Sequence, residues 1–167
     1  ETKIELDRRR INTRMAKLRK QIKGFGPARE TKRANRKRTG IPNVAIAGYT
    51  NAGKSSLLNR MTQAGVLVED ALFATLDATV RKSVTPTGRA FTLTDTVGFV
   101  RNLPHELVEA FRSTLEEVGQ ADVIVHVVDA SHPDPGAQLS TVRGVISDVD
   151  ASDVPEIVVF NKIDSID

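Results

Sequence analysis

Apolar side chains recur at seven-residue intervals in the first 25 residues of the chain. Ile4, Ile11, Leu18 and Phe25 form one series, and Met15 and Ile22 form a second. On an α-helix both series fall on one stripe, while Arg and Lys side chains cover the other faces. The pattern predicts a basic amphipathic helix over residues 1–27. Because isolated helices of this length are marginal in water, we expect its partner helix to lie upstream, in a larger domain that ends with this helix.

From residue 41 onward, short apolar runs alternate with helical patterns, which is typical of an α/β fold with a mostly parallel sheet. The predicted strands are residues 42–48, 80–85, 90–94, 122–129 and 156–160, and the predicted helices are residues 56–62 and 106–118. Residues 28–40 are polar and basic without periodicity, so we interpret them as a linker. The expected organisation is helix 1–27, linker 28–40 and one α/β domain over 41–167.

Composition excludes several classes of protein. The 167 residues are 40% hydrophobic and 27% charged, which is ordinary for a globular domain. The sequence has no cysteine, so it contains no disulfide and no zinc–thiolate site. No apolar run approaches the roughly 18 residues that a membrane span needs. We expect a monomeric, cytoplasmic protein, and a partly membrane-peripheral location stays open.

Charge divides the chain into a basic arm and an acidic body. Residues 1–40 carry 15 Lys and Arg against 4 Asp and Glu, whereas the remaining residues carry 9 against 17. A basic segment of this density usually contacts a polyanion or an acidic surface. The alternative is a solvated helix face without a partner, and charge alone does not choose between the two.

The first chemical motif is a glycine-rich loop between a predicted strand and a predicted helix. It consists of Gly48, Tyr49, Thr50, Asn51, Ala52, Gly53, Lys54 and Ser55, and it continues into Ser56. The glycines let the backbone approach phosphate groups, and the amide groups of residues 51–56 are expected to point inward beside the positive end of a helix. In this pattern Lys54 bridges the β- and γ-phosphates, and Ser55 offers its hydroxyl to Mg²⁺.

The second motif follows the predicted strand 90–94 and consists of Asp95, Thr96, Val97 and Gly98. An aspartate at a strand end can hold Mg²⁺ through water. A glycine three residues later can present its N–H to a γ-phosphate without steric cost. This motif is weak alone and gains weight because it lies downstream of the phosphate loop.

The third motif follows the predicted strand 156–160 and consists of Asn161, Lys162, Ile163 and Asp164. An asparagine amide and an aspartate carboxylate together match the acceptors and donors of guanine, whereas adenine would leave the carboxylate unpaired. The alkyl stem of Lys162 is expected to lie along the purine face.

Together these motifs resemble the first, third and fourth motifs of the translation-factor-like, Ras-related GTPases, over about residues 42–164. The resemblance implies a three-layer P-loop GTPase fold with GTP or GDP and Mg²⁺ as ligands. A complete domain of this class continues with a helix, a strand, a second guanine-contacting loop and a closing helix. The expectation is therefore that residues 41–167 lack the C-terminal part of such a domain.

A candidate switch loop lies between the first two motifs and contains Phe73, Ala74, Thr75, Leu76 and Asp77. A switch loop needs a threonine that reaches both Mg²⁺ and the γ-phosphate, and both Thr75 and Thr79 meet that need. Leu72–Asp77, followed by the Asp95 motif and Phe99, resembles the HflX family of ribosome-associated GTPases, near the Obg group. That resemblance selects Thr75.

The HflX resemblance also implies the partners and the roles of individual residues. Residues 1–27 would be the tail of an HflX-type N-terminal domain, and the basic helix would contact the large ribosomal subunit and its RNA. The implied catalytic residues are Lys54, Thr75 and Gly98, and the implied metal ligands are Ser55, Thr75 and Asp95.

Phe99 stands where Ras-like enzymes have a glutamine that orients the attacking water. A phenylalanine cannot hydrogen-bond water, which predicts slow hydrolysis unless a partner completes the site; Phe99 can also anchor the loop in the core. Arg101 is a nearby candidate for the missing role. His126 is expected to be a core or sheet-face residue, and Glu116 and Glu117 are expected to face solvent.

Three functions are compatible with these observations. The first is a GTP-driven switch that docks on the ribosome and, by analogy, splits or rescues stalled ribosomes under stress. The second is an RNA-binding module whose nucleotide site is regulatory and barely hydrolytic. The third is an ATP-driven enzyme, against which Asn161 and Asp164 argue.

Overall fold

The computed structural model describes residues 3–24, 34, 40–62, 79–100, 111 and 114–166. The chain divides into two compact units, Glu1–Gly40 and Ile41–Asp167. In the first unit, helix α1 spans Lys3–Gly24, within the predicted range. Phe25, Gly26, Pro27 and nearly all of the predicted linker lie outside the described residues.

Helix α1 exposes every side chain that is described in it, residues 4–21. The exposed side chains include apolar ones, such as Ile4 and Ile11, which are 78% and 59% exposed. The described part of the chain has no helix long and apolar enough to cross a membrane.

A five-stranded sheet forms the second unit. Its strands are β1 (Asn43–Gly48), β2 (Thr79–Val84), β3 (Ala90–Asp95), β4 (Val123–Asp129) and β5 (Glu156–Asn161), in the spatial order β2-β3-β1-β4-β5. The pairs β1–β3, β1–β4 and β4–β5 are parallel, and only the hairpin pair β2–β3 is antiparallel. The predicted α/β fold is confirmed, with strand ends within one residue of the predicted ones.

Helices cover both faces of this sheet. Helix α2 (Lys54–Thr62) packs on one face, where Leu58 and Ala52 join Ile46, Leu93 and Val127 in one buried cluster. Helix α3 (Pro135–Asp148) and the helical residues 114–119 pack on the other face. The second cluster consists of Ala45, Ala47, Val97, Phe99, Phe111, Leu115, Val118, Ile124, Val142, Ile146 and Ala151. The unit therefore has three layers.

Two local predictions need correction. Helix α2 begins at Lys54, two residues before the predicted start, so Lys54 and Ser55 lie in its first turn. Of the predicted helix 106–118, residues 106–110 lie outside the described residues. Within 114–119, Glu116 is exposed as predicted, but Glu117 is only 4% exposed, so its prediction was wrong. Thr114, Leu115 and Val118 around it are buried as well, so this turn of the helix is covered on more than one side.

Candidate active site

The predicted motifs lie along one edge of the sheet, because each follows the carboxyl end of a parallel strand. Strand β1 leads into the glycine-rich loop, β3 into Asp95–Gly98, and β5 into Asn161–Asp164. Strand β1 lies between β3 and β4 in the sheet. After β1 the chain forms β2 and β3 on one side of it and then crosses to form β4 on the other side. Such a switch point opens a crevice that binds ligands in open α/β sheets.

The glycine-rich loop contacts neighbouring strands too closely for larger residues at two positions. A Cβ atom on Gly48 would lie 2.4 Å from the carbonyl oxygen of Val127, and one on Gly53 would lie 2.2 Å from Nδ2 of Asn161. Gly53 also has a φ of +98°, in the region that favours glycine. Gly48 is therefore required by its packing against the backbone of β4, and Gly53 by its positive φ.

Within the loop, the N–H of Ala52 donates to the carbonyl oxygen of Tyr49 at 3.2 Å and closes a turn. Asn51 adopts a left-handed φ of 60°, which places it at the exposed tip of that turn. Thr50 is buried, and Ser56 is exposed in α2.

Lys54 is 6% exposed, and its Nζ donates to the carbonyl oxygen of Tyr49 at 3.0 Å. Burial lowers the pKa of Lys54 to about 8, and the nearby Asp95 carboxylate acts in the opposite direction. A Cβ atom on Gly98 would lie 3.1 Å from this Nζ and 2.8 Å from Cα of Thr50. The structure therefore brings Lys54 and Gly98 together, in an environment that favours binding of an added negative charge.

Ser55 and Asp95 also meet, although 40 residues separate them in the chain. The hydroxyl of Ser55 donates to Oδ2 of Asp95 at 2.8 Å, and Asp95 is completely buried. A hydroxyl oxygen and a carboxylate oxygen are hard ligands of the kind that Mg²⁺ prefers, so these residues fit that ion.

The described residues contain no cluster of three His, Asp or Glu side chains that could hold a metal ion. Mg²⁺ at Ser55 and Asp95 would therefore need phosphate and water oxygens as further ligands, as is usual for this ion. The implied third ligand, Thr75, and its neighbours Phe73, Ala74, Leu76 and Asp77 lie outside the described residues, as does Arg101.

Hydrogen bonds join the Asp95–Gly98 segment and the following Phe99 to strand β1 and to the glycine-rich loop. Thr96 is buried, and its hydroxyl donates to the carbonyl oxygen of Ile46 at 2.7 Å. The N–H of Phe99 donates to the carbonyl oxygen of Gly48 at 3.1 Å, and the carbonyl oxygen of Phe99 accepts from the N–H of Thr50 at 2.8 Å. These two bonds form a short parallel bridge between the first two motifs.

The side chain of Phe99 is 1% exposed and belongs to the core cluster with Val97, Phe111 and Leu115. The interpretation of Phe99 as a core anchor is confirmed. The ring lies in the core, and phenylalanine has no hydrogen-bonding group in its side chain. Position 99 therefore offers no side-chain donor or acceptor at the sheet edge where the motifs meet.

The side chains of Asn161 and Lys162 contact the glycine-rich loop. Nδ2 of Asn161 donates to the carbonyl oxygen of Ala52 at 2.9 Å, and Nζ of Lys162 donates to that of Asn51 at 2.8 Å. Ile163 and Asp164 are exposed in a 3-10 turn, Ile163–Ser165. The third motif is therefore hydrogen-bonded to the glycine-rich loop, a contact that its sequence did not indicate.

Sequence reasoning missed Asp129, the last residue of β4. Its Oδ2 accepts from Nζ of Lys162 at 2.8 Å, and its Oδ1 accepts from the N–H and hydroxyl of Ser131 at 3.0 and 2.6 Å. Partial burial opposes ionisation, but the hydrogen bonds from Lys162 and Ser131 outweigh it and lower the pKa of Asp129. The available signal was its place at the end of a parallel strand.

His126 lies in the interior, as predicted, at 1% exposure. Its Nδ1 lies 2.6 Å from Oε1 of Glu156, and Arg143 donates to Oε2 of the same carboxylate at 2.8 Å. Burial lowers the pKa of His126 and outweighs Glu156, which raises it. A carboxylate only accepts hydrogen bonds, so Nδ1 carries the proton of the neutral ring.

The fold and these contacts define a P-loop nucleotide-binding domain, and comparison with known proteins agrees. Residues 43–162 match the family model described as 50S ribosome-binding GTPase. GTPase HflX of Caldanaerobacter subterraneus is 54% identical over 98% of this chain and 38% of the relative. GTPase HflX of Lacrimispora saccharolytica is 50% identical over 100% of this chain and 40% of the relative.

The chain therefore belongs to the 50S ribosome-binding GTPase family and, within it, to the HflX group. It spans about two fifths of the length of these curated relatives.

Solved structures share the fold. A GTP-binding protein from Sulfolobus solfataricus in complex with GDP has a TM-score of 0.58 and 29% identity, over 98% of this chain and 50% of that one. Era of Aquifex aeolicus, bound to GDP and aluminium fluoride, has a TM-score of 0.59 and 27% identity, over 74% of this chain and 41% of that one.

Proposed function

We propose that this chain contains the nucleotide site of a GTP-binding and GTP-hydrolysing switch protein. The observation that carries the proposal is the meeting of three distant motifs at one sheet edge. Lys54 lies beside Gly98, Ser55 contacts Asp95, and the third motif contacts the glycine-rich loop. The relatives named GTPase HflX support the same reaction.

In this proposal the phosphates of GTP lie against the glycine-rich loop. Lys54 neutralises them, and the N–H of Gly98 donates to the γ-phosphate. Ser55 and Asp95 would hold Mg²⁺, and Thr75 would be the switch ligand of this ion when GTP is bound. When bound, Mg²⁺ neutralises phosphate charge. Asp164 and the amide of Asn161 select guanine over adenine.

Hydrolysis is expected to be slow in the isolated protein. Phosphoryl transfer depends on positioning and charge stabilisation, including a group that orients the attacking water. The Phe99 ring lies in the core and offers no such group. A partner that supplies one would accelerate the reaction.

The partner that we propose is the large ribosomal subunit and its RNA. The description of the matching family, 50S ribosome-binding GTPase, supports it. Helix α1 supports it as well, because its described Arg and Lys side chains are exposed and suited to a polyanion. Splitting or rescue of stalled ribosomes under stress is the proposed outcome of this binding.

A second candidate is an RNA-binding module whose nucleotide site is regulatory and barely hydrolytic. Phe99 favours it, because its buried ring cannot orient the attacking water and hydrolysis would then be slow. A switch with slow hydrolysis could work by nucleotide binding alone. The two candidates differ in whether the ribosome accelerates turnover.

Phosphate release from GTP, measured with and without purified large ribosomal subunits, separates the candidates. The switch enzyme requires a rise of at least about tenfold with subunits, and Lys54→Met should abolish it. Lys82→Met, which alters an exposed lysine on β2, is the matched control. A flat, slow rate together with tight RNA binding would favour the regulatory module. Competition by ATP as strong as that by GTP would contradict guanine selection.

A further inference from the structure

Strand β4 ends beside the third motif, and this register places Asp129 next to Asn161. The N–H of Ala130 donates to the carbonyl oxygen of Asn161 at 2.9 Å, so the pairing continues past the end of the strand. The carboxylate of Asp129 therefore has a position fixed by the sheet, directly alongside the residues that precede the proposed base contact.

Lys162 connects this carboxylate to the glycine-rich loop. Its Nζ donates to Oδ2 of Asp129 and to the carbonyl oxygen of Asn51, each at 2.8 Å. Lys162 and Asn51 both have left-handed backbones, with φ values of 59° and 60°. Such conformations are uncommon outside glycine and persist when the surrounding structure holds them.

We propose that Asp129 is a positioning residue for guanine-nucleotide binding. It holds Nζ of Lys162 on the loop, so that the phosphate-binding loop and the base-binding turn keep one relative position. The inference rests on the proposed function, because it concerns the same nucleotide site. Asp129 itself is not expected to touch the nucleotide.

The strength of this bridge follows from charge and burial. The Asp129 and Lys162 side chains are 15% and 33% exposed, so water screens their ion pair only in part. Hydrogen bonds between ionised groups are about twice as strong as neutral ones. Ser131 binds the other carboxylate oxygen and so orients Oδ2 towards the lysine. Without Asp129, the long lysine side chain loses one of its two partners and regains rotamer freedom.

The test is the release rate of N-methylanthraniloyl GDP, a fluorescent guanine nucleotide, in the presence of Mg²⁺. Asp129→Asn should release it about tenfold faster, since losing one charge-assisted bond is worth about a factor of ten. Asp153→Asn, which removes the same charge from an exposed loop residue, should leave the rate unchanged. Urea unfolding of each variant without nucleotide shows whether it is folded.

A double-mutant cycle tests whether Asp129 acts through Lys162. In a Lys162→Met background, Asp129→Asn should change the release rate less than twofold, because the bridge is already gone. A full tenfold effect in that background, or equal release by Asp129→Asn and the unaltered chain, would overturn the inference alone. Failure of the unaltered chain to bind the probe would overturn the proposed nucleotide site and the inference with it.

Discussion

Replacing the buried Lys54 by methionine should stabilise the nucleotide-free chain while removing its affinity for phosphate. Methionine keeps the length and the apolar stem but has no charge to desolvate. A lowering of the lysine pKa from 10.5 to about 8 corresponds to about 3 kcal/mol against the charged form. The substitution also removes the bond to Tyr49, worth about 1 kcal/mol. That carbonyl oxygen keeps the N–H of Ala52. The expected net gain is about 2 kcal/mol near neutral pH.

The gain should depend on pH in a direction fixed by the pKa. Since the folded chain holds the Lys54 proton less tightly than the unfolded chain, the destabilisation is complete below about pH 8. It fades as pH rises from about 8 towards 10.5, where the unfolded lysine also loses its proton. The stability difference between Lys54→Met and the unaltered chain should therefore shrink over this range.

Urea unfolding followed by circular dichroism measures this difference, in buffers without nucleotide and with a metal chelator. Lys82→Met, at an exposed lysine of β2, controls for the general effect of removing one positive charge. Lower stability of Lys54→Met near neutral pH would refute the reasoning, and so would a difference that does not change with pH. Added GDP should stabilise the unaltered chain but not the variant.

Four further predictions concern packing and charge in the same unit. Gly53→Ala should destabilise the chain by about 2 kcal/mol more than Gly88→Ala in urea unfolding. Both glycines have positive φ, but only at Gly53 would the new Cβ meet another atom, an amide nitrogen at 2.2 Å; equal losses would contradict this. Phe99→Ala should cost about 3–5 kcal/mol by cavity formation, and a loss below about 1 kcal/mol would contradict its core placement. Glu156→Gln should lower the pKa of His126 further, because Glu156 raises it; an NMR titration of the ring that shows a higher pKa would contradict the assignment. With the pKa of His126 lowered by folding, stability should also fall as pH drops below about 6.5.

The strands and the glycine-rich loop could be predicted from the pattern of residues that are close together in the sequence. Strands β1 and β4 are continuous apolar runs, as is typical of buried parallel strands, so their ends could be predicted within one residue. The glycine-rich loop was recognisable because a strand, two glycines and a helix must follow each other in the chain. The burial of Glu117 was not predictable in the same way. A single helical turn does not show which of its sides another layer will cover.

Contacts between residues that are far apart in the sequence could not be predicted without the order of the strands in the sheet. Asn161 and Ala52 are 109 residues apart, and Lys162 and Asn51 are 111 apart, yet each pair is hydrogen-bonded. The order β3-β1-β4-β5 brings them together. The same order places Asp129 beside Lys162. The position of Asp129 at the end of a predicted strand was visible in the sequence, but it did not show which residue the carboxylate would contact.

The sequence by itself determined the α/β class, the three motifs and the division into a basic arm and an acidic body, because each depends on residue type and spacing alone. Only the tertiary structure decided which way each motif faces. It directed Phe99 into the core rather than towards the ligand edge, and it turned Asn161 and Lys162 onto the loop. Side-chain direction depends on which neighbours the sheet order supplies, and burial of apolar surface against those neighbours selects it.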